Sequence, residues 1–430
     1  MFGHNKREKY MVNRSNTPTA RQLEFLSWEF GVFFHFGIRT FYPGLDDWAG
    51  VPMPTEGFDP PGLDCEQWCR TAARAGARYA ILTAKHHDGF ANWPSAYTDY
   101  SVARSPWRGG KGDVIREFTE ACRKYGLKVG LYYSPADAMF LEQGIAMEEY
   151  NDRFVGQLGE LLQNYGRIDY LWFDGCGSGK LKFDSARILG TARTMQPEII
   201  VFHMWDPDTI WVGNEEGYAP FDNPLRRIKK EYDRVYQPTD GPTDRDDRLL
   251  PAECDFRMRE RTWFLCQDDA DTVKSVDELM GVYDCSVGRG SNFLINIGPD
   301  ATGRLPEPDA ARLLEFGQAL RRRFAEPIAM FGALEEDGDR RFQLPLPGKT
   351  PVNCVVLEED LTQGQRVSEF SVHVRVAGRE NQVYWGKTIG HKSICNFPAV
   401  RGDHVTIEAL DSDGPARLKG AGVYYQRRAW

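Results

Sequence analysis

Three features are absent from this sequence, and each absence argues against a class of function. No apolar run reaches the length of about 18 residues that a membrane-spanning helix requires. No glycine-rich phosphate loop follows the first strand candidate, so a nucleotide-binding function has no support. The 53 Lys and Arg residues are outnumbered by 62 Asp and Glu residues, the formal charge is −9, and there is no basic stripe. We therefore expect neither nucleic acid nor a membrane as a partner.

The cysteines and the N-terminal segment bear on the cellular compartment. The nine cysteines are an odd number without the compact spacing of a disulfide framework, so we expect reduced thiols. Residues 1–20 are polar and contain neither an apolar signal-peptide core nor a cleavage signature. The sequence therefore predicts an N-terminal arm over residues 1–20 and a cytoplasmic location.

The sequence is rich in the apolar and aromatic residues that form a large buried core. Hydrophobic residues make up 41% and aromatic residues 13% of 430 residues, including 11 Trp. Short apolar runs without clean alternation recur, as is typical of buried parallel strands. They cover residues 30–37, 77–87, 127–134, 168–175 and 198–204.

Segments with helix signals separate these runs. In residues 113–126, Asp113 can cap a helix, apolar residues repeat on one face, and Gly126 suits the position after the end. Residues 151–166 repeat the same design. This alternation predicts a parallel sheet, and we favour a (β/α)8-type catalytic barrel over residues 21–335, although a doubly wound open sheet would show the same pattern.

The pattern changes after about residue 330. Phe370, Val372 and Val374 alternate with polar residues, and Gly and Asp occupy the intervening turns. A period of two is typical of antiparallel strands with one buried face. We therefore predict an α/β fold in which the barrel is followed by a C-terminal antiparallel β-sandwich over residues 336–430.

Polar side chains gather where the predicted strands end, which is the position of the active site in a (β/α)8 barrel. Asp174 ends the run YLWFDG and has aromatic neighbours in sequence. A partly desolvated carboxylate of this kind suits a nucleophile or base that acts on a sugar. The competing interpretation is an Asp that caps the following helix.

The segment TAKHHDGFANWP (83–94) carries a cation, two imidazoles (His86 and His87) and a carboxylate in four adjacent positions. Because neighbours on a strand point to opposite faces, both imidazoles can face one site only if the strand has already ended. With His35 and Asp174 they could bind a metal ion, so a metal-dependent hydrolase is one hypothesis. Ordinary loop hydrogen bonds are the other.

Hydrolysis of a glycosidic bond requires a second carboxyl group, about 5 Å from the first for retention and about 6.5–9.5 Å for inversion. The candidates are Glu215 and Glu216 in WVGNEEG and Glu253 in LPAECD. Aromatic residues near the strand ends would complete a carbohydrate site. They are Phe36, Trp48, Trp93, Tyr132, Trp172, Trp205 and Trp211.

Taken together, these motifs resemble glycoside hydrolase family 29, the α-L-fucosidases. The motifs are, in order, FGVFFHFG, YAILTAKHHDGFANWPSAYTDYSV, GLYYSPAD, YLWFDG, WVGNEEG and SNFLINIGPDATGRLPE. QRVSEFSVHV, WGKTIGHKSI, PAECD and WFLCQDDADTVKSVDEL resemble the subfamily selective for α-1,3/1,4 linkages. The resemblance extends from about residue 21 to residue 428, and KHHDGF is a highly specific marker.

The resemblance implies a retaining mechanism through a covalent fucosyl-enzyme intermediate, with no metal or organic cofactor. Asp174 matches the nucleophile, and Glu215, which lies 215 − 174 = 41 residues further on, matches the acid/base. Glu216 is the alternative if the register shifts by one residue. Glu253 has a weaker claim to the same role.

The resemblance also implies which residues bind the sugar. Those that match hydroxyl-binding groups are His35, His86 and His87. Those that match the pocket wall are Trp48, Tyr132 and Trp172, with Tyr133 as the alternative to Tyr132.

Three positions depart from the family pattern. Asp47 stands where the family has Glu, so we expect a substrate-binding carboxylate that is shorter by one methylene. Ile210 replaces an Arg and Ala136 replaces a Trp of the subfamily. Loss of these two side chains near the entrance could widen the site and change its linkage preference.

The sequence thus predicts an exo-acting retaining α-L-fucosidase for fucosylated oligosaccharides or glycoconjugates, which can associate into homo-oligomers as family members often do. Three alternatives stay open: a glycosidase for another α-L-sugar or fucose-like sugar, the metal-dependent hydrolase, and a sugar-binding protein without turnover. Loss of activity with a chelator would identify the second, and binding without hydrolysis the third.

Overall fold

The computed structural model describes residues 17–44, 47, 50–179, 181–228, 247–265 and 267–426. Most of the predicted N-terminal arm and Trp48 of the predicted pocket wall lie outside the described residues. Among the helices that are described, none is both long enough and apolar enough to cross a membrane.

Eight parallel strands form a nearly closed barrel, as the sequence predicts. The strands up to residue 296 are β1 (Phe30–Phe34), β2 (Tyr79–Lys85), β3 (Lys128–Tyr133), β4 (Tyr170–Phe173), β5 (Ile200–Phe202), β6 (Ile210–Trp211), β7 (Arg226–Ile228), β8 (Asp247–Leu249), β9 (Ala252–Arg257) and β10 (Asn292–Asn296). The order in the barrel sheet is β5-β4-β3-β2-β1-β10-β9-β6, and a parallel bridge from Phe202 to Thr209 joins its two ends. The remaining two, β7 and β8, form a separate antiparallel pair.

Helices alternate with the barrel strands. They are α1 (Ala20–Trp28), α2 (Cys65–Ala75), α3 (Val114–Lys124), α4 (Ala138–Gln143), α5 (Met147–Asn164), α6 (Ser185–Met195), α7 (Val276–Ser286) and α8 (Glu307–Phe324). The predicted signals of α3 are confirmed, because the Asp113 side chain accepts a hydrogen bond from the Arg116 amide and Gly126 has a φ of 70° after the end. Glycine tolerates this left-handed conformation better than other residues.

The barrel strands separate two apolar layers. Since successive side chains of a strand point to opposite faces, Phe34 and Tyr133 pack outward against the helices, whereas Phe33 and Tyr132 point into the barrel. The inner layer is largely aromatic and includes Trp172. It fills the barrel from within and forms the base on which the site is built.

The C-terminal region is the predicted antiparallel β-sandwich. Its strands are β11 (Ala329–Phe331), β12 (Leu334–Glu335), β13 (Arg341–Glu359), β14 (Val367–Val376), β15 (Arg379–Gly386), β16 (Ser393–Ser412) and β17 (Arg417–Tyr424). All their pairings are antiparallel. The alternating residues Phe370, Val372 and Val374 are fully buried in its core. The barrel–sandwich architecture is therefore confirmed, while the domain limits at residues 21, 335 and 336 stay predictions.

Candidate active site

A cavity of about 410 Å³ lies at the C-terminal ends of the barrel strands. Its volume is in the range of small-molecule sites, and its position is the one at which such barrels carry their chemistry. Of the nine predicted site residues, eight line this cavity. They are His35, Asp47, His86, His87, Tyr132, Trp172, Asp174 and Glu215.

Asp174 follows directly after β4 and is held in a defined orientation. The Tyr132 hydroxyl donates to Oδ2 at 2.8 Å, and the Cys176 amide donates to Oδ1 at 2.8 Å. His87 Nε2 lies 3.5 Å from Oδ2. The two hydrogen bonds from Tyr132 and Cys176 fix the position of both Asp174 oxygens. Asp184, not Asp174, caps α6, so the helix-cap interpretation of Asp174 is wrong.

The strand β2 ends at Lys85, which lets both His86 and His87 turn into the cavity. Lys85 itself points away from the site, where its Nζ donates to Asp137 Oδ2 at 2.7 Å. Burial lowers the pKa of His86 and His87, and it lowers the pKa of His35 to about 3. The three imidazoles are therefore neutral near pH 7.

Two of these imidazoles have a proton position that their neighbours define. His35 Nδ1 lies 2.7 Å from the carbonyl oxygen of the Asn296 side chain, which can only accept. His87 Nδ1 lies 2.6 Å from Ser134 Oγ, whose own proton is donated to the Ala136 carbonyl at 2.8 Å. Both Nδ1 atoms therefore donate, and both Nε2 atoms are acceptors. Such groups suit the hydroxyl protons of a sugar.

The metal-site hypothesis requires His35, His86 or His87 to converge with Asp174 on one point. Among the residues that the structure describes, no three His, Cys, Asp or Glu side chains are grouped in a way that could hold a metal ion. The geometry therefore does not support that hypothesis, and a chelator experiment tests it directly.

Glu215 faces the same cavity from the loop after β6. Its side chain is 33% exposed, and Arg257 Nη1 lies 3.2 Å from its Oε2. Burial raises the pKa of Glu215; Arg257 opposes this change and the negative charge of Asp174 adds to it. The neighbouring Glu216 is exposed and does not line the cavity, so the geometry favours Glu215 of the two.

Glu253 lies beneath the cavity rather than in its wall. It is fully buried on β9, where the Tyr79 hydroxyl donates to it at 2.5 Å and the Tyr170 hydroxyl at 3.0 Å. The Trp172 indole N–H also donates to it at 3.0 Å, and burial raises its pKa to about 7. Glu253 thus fixes the indole of Trp172 and does not reach the cavity as an acid/base would have to.

Aromatic rings form one wall of the cavity. Tyr132 and Trp172 are stacked with ring centroids 5.4 Å apart, and Trp172 and Phe202 with centroids 4.1 Å apart. Tyr133 lies on the other face of β3, where its hydroxyl donates to Gln157 at 2.6 Å. The geometry therefore places Tyr132, and not Tyr133, in the pocket wall.

Asp47 is buried in the cavity wall, where its Oδ2 accepts a hydrogen bond from the Trp263 amide at 2.6 Å. Burial raises its pKa to about 6. The other two departures from the family pattern do not line the cavity. Ala136 is buried nearby, and Ile210 is fully buried in a small apolar cluster with Leu250.

Sequence reasoning named Glu253 of β9 but missed two residues of the cavity wall, Asp255 of the same strand and Trp263 after it. Asp255 lines the cavity and accepts from the Trp211 indole at 2.6 Å, and Trp263 lines it as well. Glu253, Asp255 and Arg257 occupy alternate positions of β9. Charged residues at every second position of a buried strand were the signal that could have identified this face.

The turn after β5 brings His203, Met204 and Trp205 into the cavity wall. His203 and Trp205 have φ values of 67° and 62°, which residues with side chains rarely adopt. Strained backbone of this kind persists where the surrounding structure enforces it. His203 lies near the end of the apolar run 198–204, but nothing in the sequence indicates the shape of this turn.

Neutral imidazoles and aromatic rings suit an uncharged molecule rich in hydroxyl groups, and two carboxyl groups facing one cavity are what cleavage of a glycosidic bond requires. The fold and the site therefore define a glycoside hydrolase. The family model for alpha-L-fucosidase matches residues 3–323. The chain thus belongs to the α-L-fucosidase family, glycoside hydrolase family 29.

Individual relatives agree with this assignment. Alpha-L-fucosidase 1 of Arabidopsis thaliana is 32% identical over 421 residues, which cover 88% of this chain and 81% of the plant protein. A glycoside hydrolase 29 family member from an unknown rumen bacterium superposes with a TM-score of 0.87 at 31% identity, covering 96% of this chain and 78% of that one. A family 29 fucosidase of Ruminococcus gnavus in complex with fucose has a TM-score of 0.82 at 25% identity, covering 96% and 95%. These similarities support α-L-fucosidase activity.

Proposed function

We propose that this α-L-fucosidase is a retaining exo-glycosidase that removes terminal α-1,3- or α-1,4-linked L-fucose through a covalent intermediate on Asp174. The observation that carries the proposal is the contrast between two carboxyl groups of one cavity. Asp174 accepts two hydrogen bonds, which hold both of its oxygens in the fixed orientation that a nucleophile needs. Burial raises the pKa of Glu215, which favours the proton that a general acid needs.

In the first step, an Asp174 oxygen attacks the anomeric carbon while the bond from that carbon to the leaving oxygen breaks. Glu215 donates its proton to the leaving oxygen, so the aglycone departs as a neutral alcohol. In the second step, Glu215 is a carboxylate and takes a proton from water, whose oxygen attacks the same carbon and displaces Asp174. Two inversions give retention of configuration.

The remaining wall residues serve recognition in this proposal. The Nε2 atoms of His35 and His87 accept hydrogen bonds from sugar hydroxyls, and His86 and Asp47 supply further polar groups. The aromatic wall of Tyr132 and Trp172 suits the apolar C6 methyl group of fucose. These contacts require neither a metal ion nor an organic cofactor.

The proposed linkage preference rests on the C-terminal and barrel motifs that resemble the α-1,3/1,4-selective subfamily. Ile210 and Ala136, which depart from that subfamily, do not line the cavity. In this proposal the enzyme keeps the preference of that subfamily despite the two replacements. A branched substrate in which fucose is α-1,3- or α-1,4-linked should therefore be cleaved faster than an α-1,2-linked one.

The test is hydrolysis of p-nitrophenyl α-L-fucoside and of α-1,2-, α-1,3- and α-1,4-fucosylated oligosaccharides, with and without EDTA. NMR of the first-formed fucose should show the α-anomer, and EDTA should not change the rate. A β-anomer would contradict the retaining mechanism, and loss of activity with EDTA would favour a metal-dependent hydrolase. Faster hydrolysis of aryl glycosides of another α-L-sugar would instead identify a different substrate.

A further inference from the structure

The loop that carries Glu215 contacts the C-terminal sandwich. This loop, called the Glu215 loop below, comprises residues 212–225 between β6 and β7. Trp385 of β15 stacks on Phe221 with ring centroids 5.6 Å apart and an interplanar angle of 29°. The amide of Leu225 donates to the Gln365 side-chain oxygen at 2.7 Å. Two separate contacts therefore join this loop to another part of the fold.

Arg289, just before β10, strengthens the connection. The carbon of its guanidinium group lies 5.3 Å from the ring centroid of Tyr218 and 6.0 Å from that of Phe221. Its Nη1 also donates to the Ala219 carbonyl at 2.7 Å. The backbone of Arg289 forms an antiparallel bridge with Ser393 of the sandwich. One arginine thus contacts the Glu215 loop and the sandwich at once.

Together these side chains form a row of aromatic rings and cationic groups. On the far side of the row, Lys387 Nζ lies 5.1 Å from the ring centroid of Trp385. Contacts between a cation and an aromatic face are attractive, as are offset contacts between two rings. We call this row the aromatic–cation ladder. Its members are Tyr218, Arg289, Phe221, Trp385 and Lys387.

A tight turn links the ladder to the carboxyl group. The side-chain oxygen of Asn214 accepts from the amides of Glu216 and Tyr218 at 3.1 and 3.2 Å, and its Nδ2 donates to the Tyr218 carbonyl at 2.8 Å. Gly217 has a φ of 75°, and a Cβ at this position would lie 2.5 Å from a Val282 methyl group. Hydrogen bonds from Asn214 and the close packing of Gly217 against Val282 hold this turn in one conformation. A displacement of Tyr218 would therefore also displace Glu215.

We propose that Trp385 is a positioning residue for Glu215, and that the C-terminal sandwich acts through the aromatic–cation ladder to hold the catalytic acid in place. This inference rests on the proposed function, in which Glu215 is the acid/base. It gives the sandwich a part in catalysis that does not require it to touch the substrate.

The proposed mechanism predicts how weakening the aromatic–cation ladder would change the kinetics. A general acid must stay within hydrogen-bond reach of the leaving oxygen, and a leaving group that departs readily without a proton depends on it less. Loss of the ladder should therefore slow sugar leaving groups and spare activated aryl leaving groups. A looser loop also admits water to Glu215, whose raised pKa comes chiefly from burial. The alkaline limb of the pH profile should then move to lower pH.

The experiment compares Trp385→Ala with Trp385→Phe in the full chain. For Trp385→Ala we expect kcat on a fucosylated oligosaccharide to fall by about tenfold, because small misplacements of catalytic groups cost that much or more. The kcat/KM for 2,4-dinitrophenyl α-L-fucoside should stay within about twofold of wild type, since kcat/KM reports the first step and this leaving group needs little acid assistance there. Trp385→Phe should restore most of the loss. The matched control is Tyr425→Ala, another exposed aromatic residue of the C-terminal region.

Two results would overturn the proposal. Equal losses on both substrates would indicate a merely structural role for Trp385. A higher KM for the oligosaccharide with unchanged kcat would instead identify the ladder as a sugar-binding surface. As a further check, Phe221→Ala combined with Trp385→Ala should cost little more than either change alone; fully additive losses would exclude action through the stacked pair.

Glu215→Ala, measured alongside, separates this proposal from the proposed function. If Glu215→Ala discriminates between the two leaving groups and Trp385→Ala does not, only the positioning role of Trp385 fails. If Glu215→Ala treats both leaving groups alike, the acid/base assignment fails, and the positioning proposal fails with it.

Discussion

The two sides of the cavity hold their carboxyl groups in different ways. Asp174 follows a barrel strand, and hydrogen bonds from Tyr132 and from the Cys176 amide fix both of its oxygens. Glu215 lies on a loop, contacts one cation, Arg257, and has a pKa that burial raises. The comparison teaches that the structure controls chiefly the orientation of Asp174 and chiefly the proton affinity of Glu215. In the proposed mechanism, a nucleophile requires a fixed orientation and a general acid requires a raised proton affinity.

The largest effect is expected on the rigid side of the cavity. Asp174→Ala removes the atom that attacks the anomeric carbon, so kcat should fall by about 10⁴-fold or more on every fucoside. Hydrolysis of p-nitrophenyl α-L-fucoside measures this loss. Binding of fucose and the circular dichroism spectrum should stay close to wild type, because the polar groups that recognise the sugar are elsewhere. Activity within tenfold of wild type would contradict the assignment.

On the loop side, the size of the effect should depend on the leaving group. Glu215→Ala should lower kcat on a fucosylated oligosaccharide by about 10²- to 10⁴-fold, since a sugar alkoxide departs poorly without a proton. Activated aryl fucosides should lose far less at the first step. Glu216→Ala is the matched control and should stay within about twofold of wild type, because Glu216 is exposed and outside the cavity wall. The opposite ranking of these two variants would move the acid/base assignment to Glu216.

A change in the charge beside Glu215 should shift the pH profile. Arg257 lowers the pKa of Glu215, so Arg257→Met should raise it further. A general acid is active while protonated, and the alkaline limb of kcat/KM should therefore move to higher pH. Lys124→Met, which removes a cation from an exposed ion pair with Glu66, is the control and should leave the limb in place. A shift to lower pH would contradict the proposed role of Arg257.

The smallest effect is expected beneath the cavity. Burial raises the pKa of Glu253 to about 7, so its ionised form is disfavoured in the folded state. The wild-type protein should lose stability, on the order of 1–3 kcal/mol, as the pH rises from below the ordinary carboxyl pKa through about 7. Glu253→Gln cannot ionise and should remove this loss while keeping activity within about threefold. Thermal unfolding at pH 5 and pH 8 tests this, and an unchanged pH dependence would contradict it.

Much of this architecture was predictable from the sequence, because buried parallel strands appear in it as short apolar runs without alternation. The apolar runs that end at His35, His87 and Asp174 identify three strand ends, and strand ends in a barrel meet at one site. The alternating residues of β14 likewise predict the sandwich.

Other parts of the site depend on tertiary contacts that a linear pattern does not encode. Glu215 and Glu253 are both acid/base candidates in the sequence, Glu253 with the weaker claim, and the fold shows that Glu215 lies in the cavity wall and Glu253 beneath it. The positive φ of His203 follows from the surrounding packing and not from local preference. The stack of Phe221 on Trp385 joins residues that are far apart in the chain.

The configuration of the fucosyl azide formed by each of two variants tests the central claim most directly. With an activated α-L-fucoside and azide, Glu215→Ala should release α-fucosyl azide, because azide replaces water in the second of two inversions. Asp174→Ala should release β-fucosyl azide, because azide enters from the side of the missing carboxylate and inverts once. The same anomer from both variants, or the two anomers exchanged, would contradict the assignment of Asp174 as nucleophile and Glu215 as acid/base.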